Sequence, residues 1–413
     1  MMINIGKSIL DGEVTAPSSK SHAIRYAIVS GLLTGRSEIR GITFNEDIDD
    51  ALSLLRASGS KIEFNGGILT VEPSSSLNFR SVSLNGSATV LRITIALAAS
   101  YPGSKVIMLG KALRNRPVDD LIYSLRNAGA MIINEGDRII TENPVKNYSF
   151  EIRADVSSQF LTALMFLSLA TEKRVSIKMK GRRVSGTYFS ITREIIENLG
   201  SKINDEYDLI VMEPKRVEKI YADVPGDFAL GSYFPSIAAK NGGSVIIKNL
   251  HYKGNGDSRV VDIFREAGIH SRMEGDKWVV DGPADLRSIE IDMNDVPDLV
   301  PPLTSILSSS PGISKISGIR HLEYKESNRI AEIIKILNKA GINSSYDENS
   351  ISISGGSYNS FDYVCPGDHR MAMMALSLQA TSGGKIENEK CLCKSYPGFI
   401  DDFKKLGGIV DYT

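Results

Sequence analysis

The sequence predicts a two-domain α/β protein assembled from six copies of one helix-and-strand unit, three copies to a domain. Three observations predict it. Six phrases, RASGSKI, RNAGAMI, ENLGSKI, REAGIHS, NKAGINS and KKLGGIV, each read as a helix end, a glycine and the start of a strand. Their glycines, Gly59, Gly129, Gly200, Gly268, Gly341 and Gly407, stand 66 to 73 residues apart. Ahead of each phrase lies a second, strongly apolar run, near Ile24–Leu33, Val90–Ala99, Phe160–Ala170, Ser232–Ala239, Leu303–Leu307 and Met371–Leu378.

A glycine just past a helix end takes positive φ, where a β-carbon is costly. The helices before the glycines carry apolar stripes, such as Leu121, Ile122, Leu125 and Ala128 at i, i+1, i+4 and i+7. Chance punctuation by 36 glycines does not produce six such phrases at nearly even spacing. The period exceeds that of ordinary solenoids, so the units group as two domains of three, with a boundary near Val224-Pro225-Gly226-Asp227. Between two such halves is the expected place for a small-molecule site.

Composition narrows the class. Of 413 residues, 42% are hydrophobic and 23% charged, an ordinary globular balance. Lys plus Arg (48) nearly match Asp plus Glu (49), which argues against a nucleic-acid or membrane-surface protein. Any cationic site must therefore be a local concentration of charge. The N-terminal MMINIGKSILDGEV has no long apolar core and reads as a short strand. Phe160–Ala170 covers only about half a membrane span and reads as a buried helix, so a cytoplasmic location is expected. Cys365, Cys391 and Cys393 are too few for a disulfide framework and suit a reducing compartment. The bare CxC of the last two lacks further ligands, so it reads as two thiols at a strand edge rather than a metal site.

The starts of the apolar helices carry the chemistry. TAPSSKSHAIRYAIVSGLLTG sets Ser18, Ser19, Lys20 and Ser21 before or at a helix start, with Arg25 one turn in. Backbone N–H groups, hydroxyls and cations there suit an anion, although GxxxxGK[ST] is absent. DVSSQFLTALMF brings Ser157, Ser158 and Gln159 to another such start. GKALRNRPVDDL concentrates Lys111, Arg114 and Arg116 before Pro117, a plausible first helical position, where an arginine could bind a carboxylate or phosphate bidentately. Ordinary capping and solvated charges fit each of these segments equally well when it is taken alone.

The second half supplies reactive groups. IEIDMNDVPDLVPPLTSIL places Asp292, Asp295 and Asp298 before an apolar run, with Pro297, Pro301 and Pro302 holding a non-helical approach. Asp298 is a candidate general base, or else a helix cap. In HLEYKESNRIAEIIKIL, Lys325 and Arg329 are four apart and would share a helical face beside Glu326. In PGDHRMAMMALSL, Asp368, His369 and Arg370 precede the last apolar helix, and Lys394 follows in CLCKSYPGF. Equivalent positions in repeated units thus carry Ser, Lys, Arg or Asp, and helix starts facing one cleft would reinforce each other toward anions.

PSSKSHAIR, LRNRPVDDL, SSQFLTAL, GDFALGSYF, DMNDVPD, YKESNR, DHRMAM and KSYPGF occur in this order along the chain. On these motifs, and above all KESNR and DHRMAM, the chain resembles the 5-enolpyruvylshikimate-3-phosphate (EPSP) synthases of the enolpyruvyl transferase family. The resemblance implies the inverted α/β barrel fold, with two domains each of three βαβαββ units. Residues 15–224 would form one domain, and residues 1–14 with 225–413 the other. It implies transfer of the enolpyruvyl group of phosphoenolpyruvate to the 5-hydroxyl of shikimate 3-phosphate, by addition–elimination through a tetrahedral intermediate. Lys20, Ser21, Arg25, Ser157, Ser158, Gln159, Ser185, Asp298 and Lys325 would hold shikimate 3-phosphate. Lys20, Arg116, Gln159, Arg329, Arg370 and Lys394 would surround phosphoenolpyruvate. Asp298 would take the hydroxyl proton, and Glu326 with Lys20 would serve the methylene carbon. Neither metal nor organic cofactor is implied, and a monomer is expected.

Three positions depart from the family pattern. The usual Asn-Ala-Gly-Thr loop reads Gly86-Ser87-Ala88-Thr89, leading to Arg92, and Ala88 would crowd phosphoenolpyruvate and mimics such as glyphosate. GDFALGSYF lacks the customary serine pair after Asp227, and Asn328 stands where Asp is usual. The related UDP-N-acetylglucosamine enolpyruvyl transferases carry a reactive Cys a few residues before the arginine, and Lys111 to Asn115 contain none. An inactive anion-binding homologue is opposed by intact Lys20, Asp298, Glu326 and Arg370. An RNA-processing cyclase of similar repeats is opposed by the near-zero charge.

Overall fold

The computed structural model describes residues 2–254 and 256–412. The chain divides into two compact units, Ser19–Val224 and Met1–Ser18 with Pro225–Thr413. In the first unit the helices are α1 (Lys20–Ser30), α2 (Glu46–Ala57), α3 (Ala88–Ala98), α4 (Asp119–Asn127), α5 (Gln159–Thr171) and α6 (Gly186–Asn198). In the second they are α7 (Phe228–Gly231), α8 (Tyr233–Asn241), α9 (Val260–Glu266), α10 (Val300–Leu307), α11 (Arg329–Ala340), α12 (His369–Ser382) and α13 (Phe399–Lys405).

The two kinds of apolar pattern become two kinds of helix. α5 is buried without a break from Phe160 to Leu169, and α12 from His369 to Ala380, so each is a core helix with no solvent face. α3 packs on α5, and α12 packs on α8 and α10. By contrast α4 buries only Leu121, Ile122, Ser124 and Leu125, the stripe expected of a helix lying over a sheet.

Every sheet has four strands and follows one plan. Ser149–Arg153 runs parallel to Val175–Lys180, which pairs antiparallel with Leu209–Glu213, which pairs antiparallel with Lys202–Glu206. Alternate residues such as Phe150, Ile152, Val175 and Ile177 point into the core, the period-two signature of a sheet buried on one face. Each unit contains three such sheets. The N-terminus contributes two strands rather than one. Met2–Ile5 is the third strand of the sheet with Phe361–Val364, Gly384–Glu387 and Val410–Tyr412, and Gly12–Thr15 lies parallel to Gly243–Lys248. Ser18 then bridges Gly226, and the Asp227 N–H donates to the Pro17 carbonyl, which keeps the initial segment with this unit as far as Ser18.

All six repeat glycines have positive φ, from 79° at Gly341 to 101° at Gly129. Several local expectations are corrected. Pro117 is not the first helical residue, because α4 begins at Asp119. Pro301 and Pro302 lie inside the first turn of α10, where a proline loses no intrahelical hydrogen bond; only Pro297 stands before it, in the 3₁₀ turn Pro297–Leu299. The cysteines are not all thiols. Cys365 and Cys391 form a disulfide, and Cys391 and Cys393 sit on the 3₁₀ turn Glu389–Cys393 instead of a strand. Among the described residues no helix is long and apolar enough to cross a membrane.

The repeat glycines differ in what a β-carbon would meet. At Gly59 (φ 84°) the nearest atom would be 3.9 Å away, whereas at Gly268 (φ 86°) the Asp285 carbonyl oxygen would be 2.1 Å away. Gly59→Ala is expected to cost only the left-handed penalty of about 1–2 kcal/mol. Gly268→Ala should add roughly 1–3 kcal/mol of overpacking. Urea unfolding midpoints of the two variants check this ranking, and equal midpoints contradict it.

Candidate functional site

In the Ser19–Val224 unit, Lys20 is the first residue of α1, and its Nζ lies 3.1 Å from Asp47 Oδ2 on α2. Arg25, one turn further on, is 1% exposed. Its guanidinium donates to Thr192 Oγ1 (2.7 Å), to the carbonyls of Ser21 (2.8 Å) and Tyr188 (3.2 Å), and to Thr162 Oγ1 (3.4 Å). All these partners are neutral, and burial lowers the group to about 10. A buried cation satisfied only by neutral groups retains its full attraction for an anion.

The start of α5 completes this set. Gln159 is its first residue, and the Ser158 hydroxyl just before it is buried with no hydrogen-bond partner. Ser157 Oγ and Gln159 Oε1 both accept from Arg92 Nη1, with the Ser157 bond at 3.3 Å. Arg92 also donates twice to the Pro117 carbonyl, from Nε at 3.1 Å and Nη2 at 2.8 Å, and lies over the Phe160 ring. It therefore ties the turn bearing Arg116 to the start of α5. Sequence reasoning assigned Arg92 no role; the available signal was a lone charge in the helix ATVLRITIALA. Lys111 and Arg114, from the same basic turn, are exposed. Ser185, immediately before α6, is buried at φ 55°, a conformation uncommon for a residue other than glycine and concentrated at functional sites.

The second unit gathers its residues around Arg329, the first residue of α11 and 1% exposed. Arg329 donates to Asp298 Oδ1 (2.8 Å), Glu326 Oε2 (2.6 Å) and Asp368 Oδ2 (2.8 Å). Arg370, also buried, pairs with the other Asp298 oxygen at 2.7 Å. Burial alone would raise the Asp298 carboxyl, but Arg370, Arg329 and Lys325 together hold it far below the usual range. Asp368 caps α12 by accepting from the Arg370 N–H at 3.0 Å, so it serves the helix and Arg329 at once. Asn328, at the position where Asp is usual, caps α11 by accepting from the Ala331 N–H, a role either residue fills.

Lys325 and Arg329 do not share a helical face. Lys325 ends the 3₁₀ turn Arg320–Tyr324, and the helix starts only at Arg329, because Asn328 caps it there. Asp292 and Asp295 lie in the turn before Asp298 and accept from the Asn294 backbone and side-chain amides. Lys394 follows the Glu389–Cys393 turn and is half-buried. Two groups escaped sequence reading. His321 is buried, and burial with Lys325 pushes it down to about 3. Burial, Asp298 and Asp227 push Asp257 up to about 8. His321 lies one turn before Lys325, whereas nothing in GDSR marks Asp257.

Residues 5–403 match the EPSP synthase (3-phosphoshikimate 1-carboxyvinyltransferase) family. A 3-phosphoshikimate 1-carboxyvinyltransferase of Caldivirga maquilingensis is 35% identical over 98% of this chain and 99% of its own. One of Saccharolobus solfataricus is 32% identical over 98% of each. Among solved structures, an EPSP synthase from Acinetobacter baumannii superposes over the whole of both chains with a TM-score of 0.78 at 20% identity. The enolpyruvyl transferase NikO of Streptomyces tendae covers 100% of this chain and 98% of its own, with a TM-score of 0.77 at 13% identity. At these identities the two structures speak for the fold alone.

The network makes a stability prediction. Asp298→Ala takes a carboxylate from two buried arginines and should cost about 3–5 kcal/mol at pH 7. The folded Asp298 carboxyl lies below its unfolded value of about 3.9, so its stabilisation is fully present above that pH and lost as the pH falls through the folded value. The gap between wild type and variant should hold from pH 5 to 8, by urea unfolding, and narrow below roughly pH 4.

Proposed function

The chain belongs to the EPSP synthase family, and from that premise we propose how its residues move the enolpyruvyl group of phosphoenolpyruvate to shikimate 3-phosphate, a step of the shikimate pathway toward the aromatic amino acids. Each unit is an inverted α/β barrel of three βαβαββ repeats, a reading supported by its three like sheets. The helix starts of both units serve one pair of substrates. Lys20, Ser21, Arg25, Ser157, Ser158, Gln159 and Ser185 hold shikimate 3-phosphate with Asp298 and Lys325. Lys20, Arg116, Gln159, Arg329, Arg370 and Lys394 hold phosphoenolpyruvate. The enzyme acts as a cytoplasmic monomer.

The observation that carries the mechanism is the grip of Arg329 and Arg370 on the two Asp298 oxygens. While that grip lasts, Asp298 is too weak a base to take a hydroxyl proton. The phosphate and carboxylate of phosphoenolpyruvate draw on the same guanidinium groups, so their arrival loosens the grip and raises the Asp298 pKa toward a useful value. Asp298 then accepts the 5-hydroxyl proton as the hydroxyl oxygen bonds to C2 of phosphoenolpyruvate. C3 gains a proton from Glu326 or Lys20, giving a tetrahedral intermediate. Loss of a methyl proton and departure of phosphate restore the double bond. Arginines aimed at the phosphate stabilise the charge that develops there.

Phosphate release with shikimate 3-phosphate and phosphoenolpyruvate tests the reaction, with UDP-N-acetylglucosamine as the competing acceptor; release only with the latter overturns the reading. Arg370→Lys keeps the charge but loses the planar fork. It is expected to raise the Kd for phosphoenolpyruvate about tenfold, some 1.4 kcal/mol, and to leave that for shikimate 3-phosphate unchanged. An unchanged Kd for phosphoenolpyruvate removes Arg370 from its site.

A further inference from the structure

We propose that Asp50 on α2 is a positioning residue for the phosphoenolpyruvate end of the site, acting through the start of α3 on Arg92. This rests on the assignment of Arg116, Gln159 and Lys20 to phosphoenolpyruvate. Asp50 is 1% exposed. Its Oδ1 accepts from the Asn85 N–H at 2.7 Å, and its Oδ2 accepts from the N–H groups of Gly86 at 2.9 Å and Ser87 at 2.7 Å. Three consecutive amides converging just before a helix form an anion-binding nest, and here the anion is the protein's own.

The consequence travels along α3. Ser87 caps that helix by accepting from the Val90 N–H, and Ala88 is its first residue. Arg92 follows one turn later and holds the Pro117 carbonyl, beside Arg116, together with Ser157 and Gln159. A shift at the nest is therefore a shift of the guanidinium that spaces two phosphoenolpyruvate ligands. Asp47 lies three residues before Asp50, on the same face of α2, and holds Lys20, a third such ligand. α2 thus offers no group of its own to the substrate yet sets three that do. The bonds that fix Arg25 go instead to Ser21 on α1, Thr162 on α5, and Tyr188 and Thr192 on α6. Lys20, Ser157 and Gln159 are also assigned to shikimate 3-phosphate, but Arg25 of that set is fixed by other bonds and Arg116 is assigned to phosphoenolpyruvate alone. Disturbing Asp50 should therefore weigh more heavily on phosphoenolpyruvate.

Asp50→Asn tests this. Asparagine keeps one oxygen for the amides of Gly86 and Ser87 but turns an NH₂ toward the Asn85 N–H, donor against donor. The KM for phosphoenolpyruvate should rise about tenfold, with the KM for shikimate 3-phosphate and kcat within roughly threefold of wild type. A wild-type KM for phosphoenolpyruvate, or an equal rise in both KM values, overturns the proposal, since a merely structural Asp50 would not distinguish the substrates. If that variant does not fold, Ser87→Pro removes one of the three amides from the opposite side, at a φ of −88° close to proline's own. It must show the same split against Ser87→Ala, which loses only the cap. Failure of the wild type to turn over these substrates would instead overturn the functional reading, so the two failures are distinguishable.

Discussion

The second unit depends on one buried guanidinium. Arg329 lies at the start of α11 and bonds carboxylates placed by three different starts: Asp298 before α10, Glu326 before its own helix, and Asp368 at the cap of α12. An arginine removed from water without such partners is strongly disfavoured, and three carboxylates brought together without a cation would repel one another. Each side of the arrangement makes the other tolerable. The positions of α10, α11 and α12 follow from a geometry that only the assembled unit satisfies.

The first unit uses the same device with opposite electrostatics. Arg92 also ties together elements from neighbouring repeats, the turn at Pro117 and the start of α5, but through a carbonyl, a hydroxyl and an amide oxygen. Arg25 is likewise held by neutral oxygens. In the first unit Arg25 and Arg92 thus meet neutral oxygens, while in the second Arg329 and Arg370 are engaged by carboxylates. Under the proposed mechanism an anion would compete with Asp298 for the arginines of the second unit, and that competition would raise the basicity of Asp298.

Much of the repeat plan was legible in the sequence because a helix end needing positive φ leaves a glycine, and a core helix leaves an unbroken apolar run. The helix starts were legible for a similar reason: Lys20, Gln159 and Arg370 are polar residues at the edge of apolar text. What escaped depended on partners distant in the chain. Arg92 reads as an oddity until Pro117 and Gln159 are seen to meet it. Lys325 and Arg329 look like helical neighbours until the Asn328 cap delays the helix. Cys365 and Cys391 look like isolated thiols, 26 residues apart. They meet because Phe361–Val364 and Gly384–Glu387 are parallel neighbours with Val364 opposite Glu387, so both chains leave the sheet at the same end.

By itself, then, the sequence determined the α/β character, the six repeats and the polar residues at the helix starts. All of these follow from local rules of periodicity, capping and backbone freedom. Only the tertiary structure decided which cations meet carboxylates and which meet neutral oxygens. A guanidinium has the same formula beside a carbonyl as beside a carboxylate, and its neighbours at Asp298, Asp368, Pro117 and Thr192 are brought to it by packing across repeats rather than by adjacency in the chain.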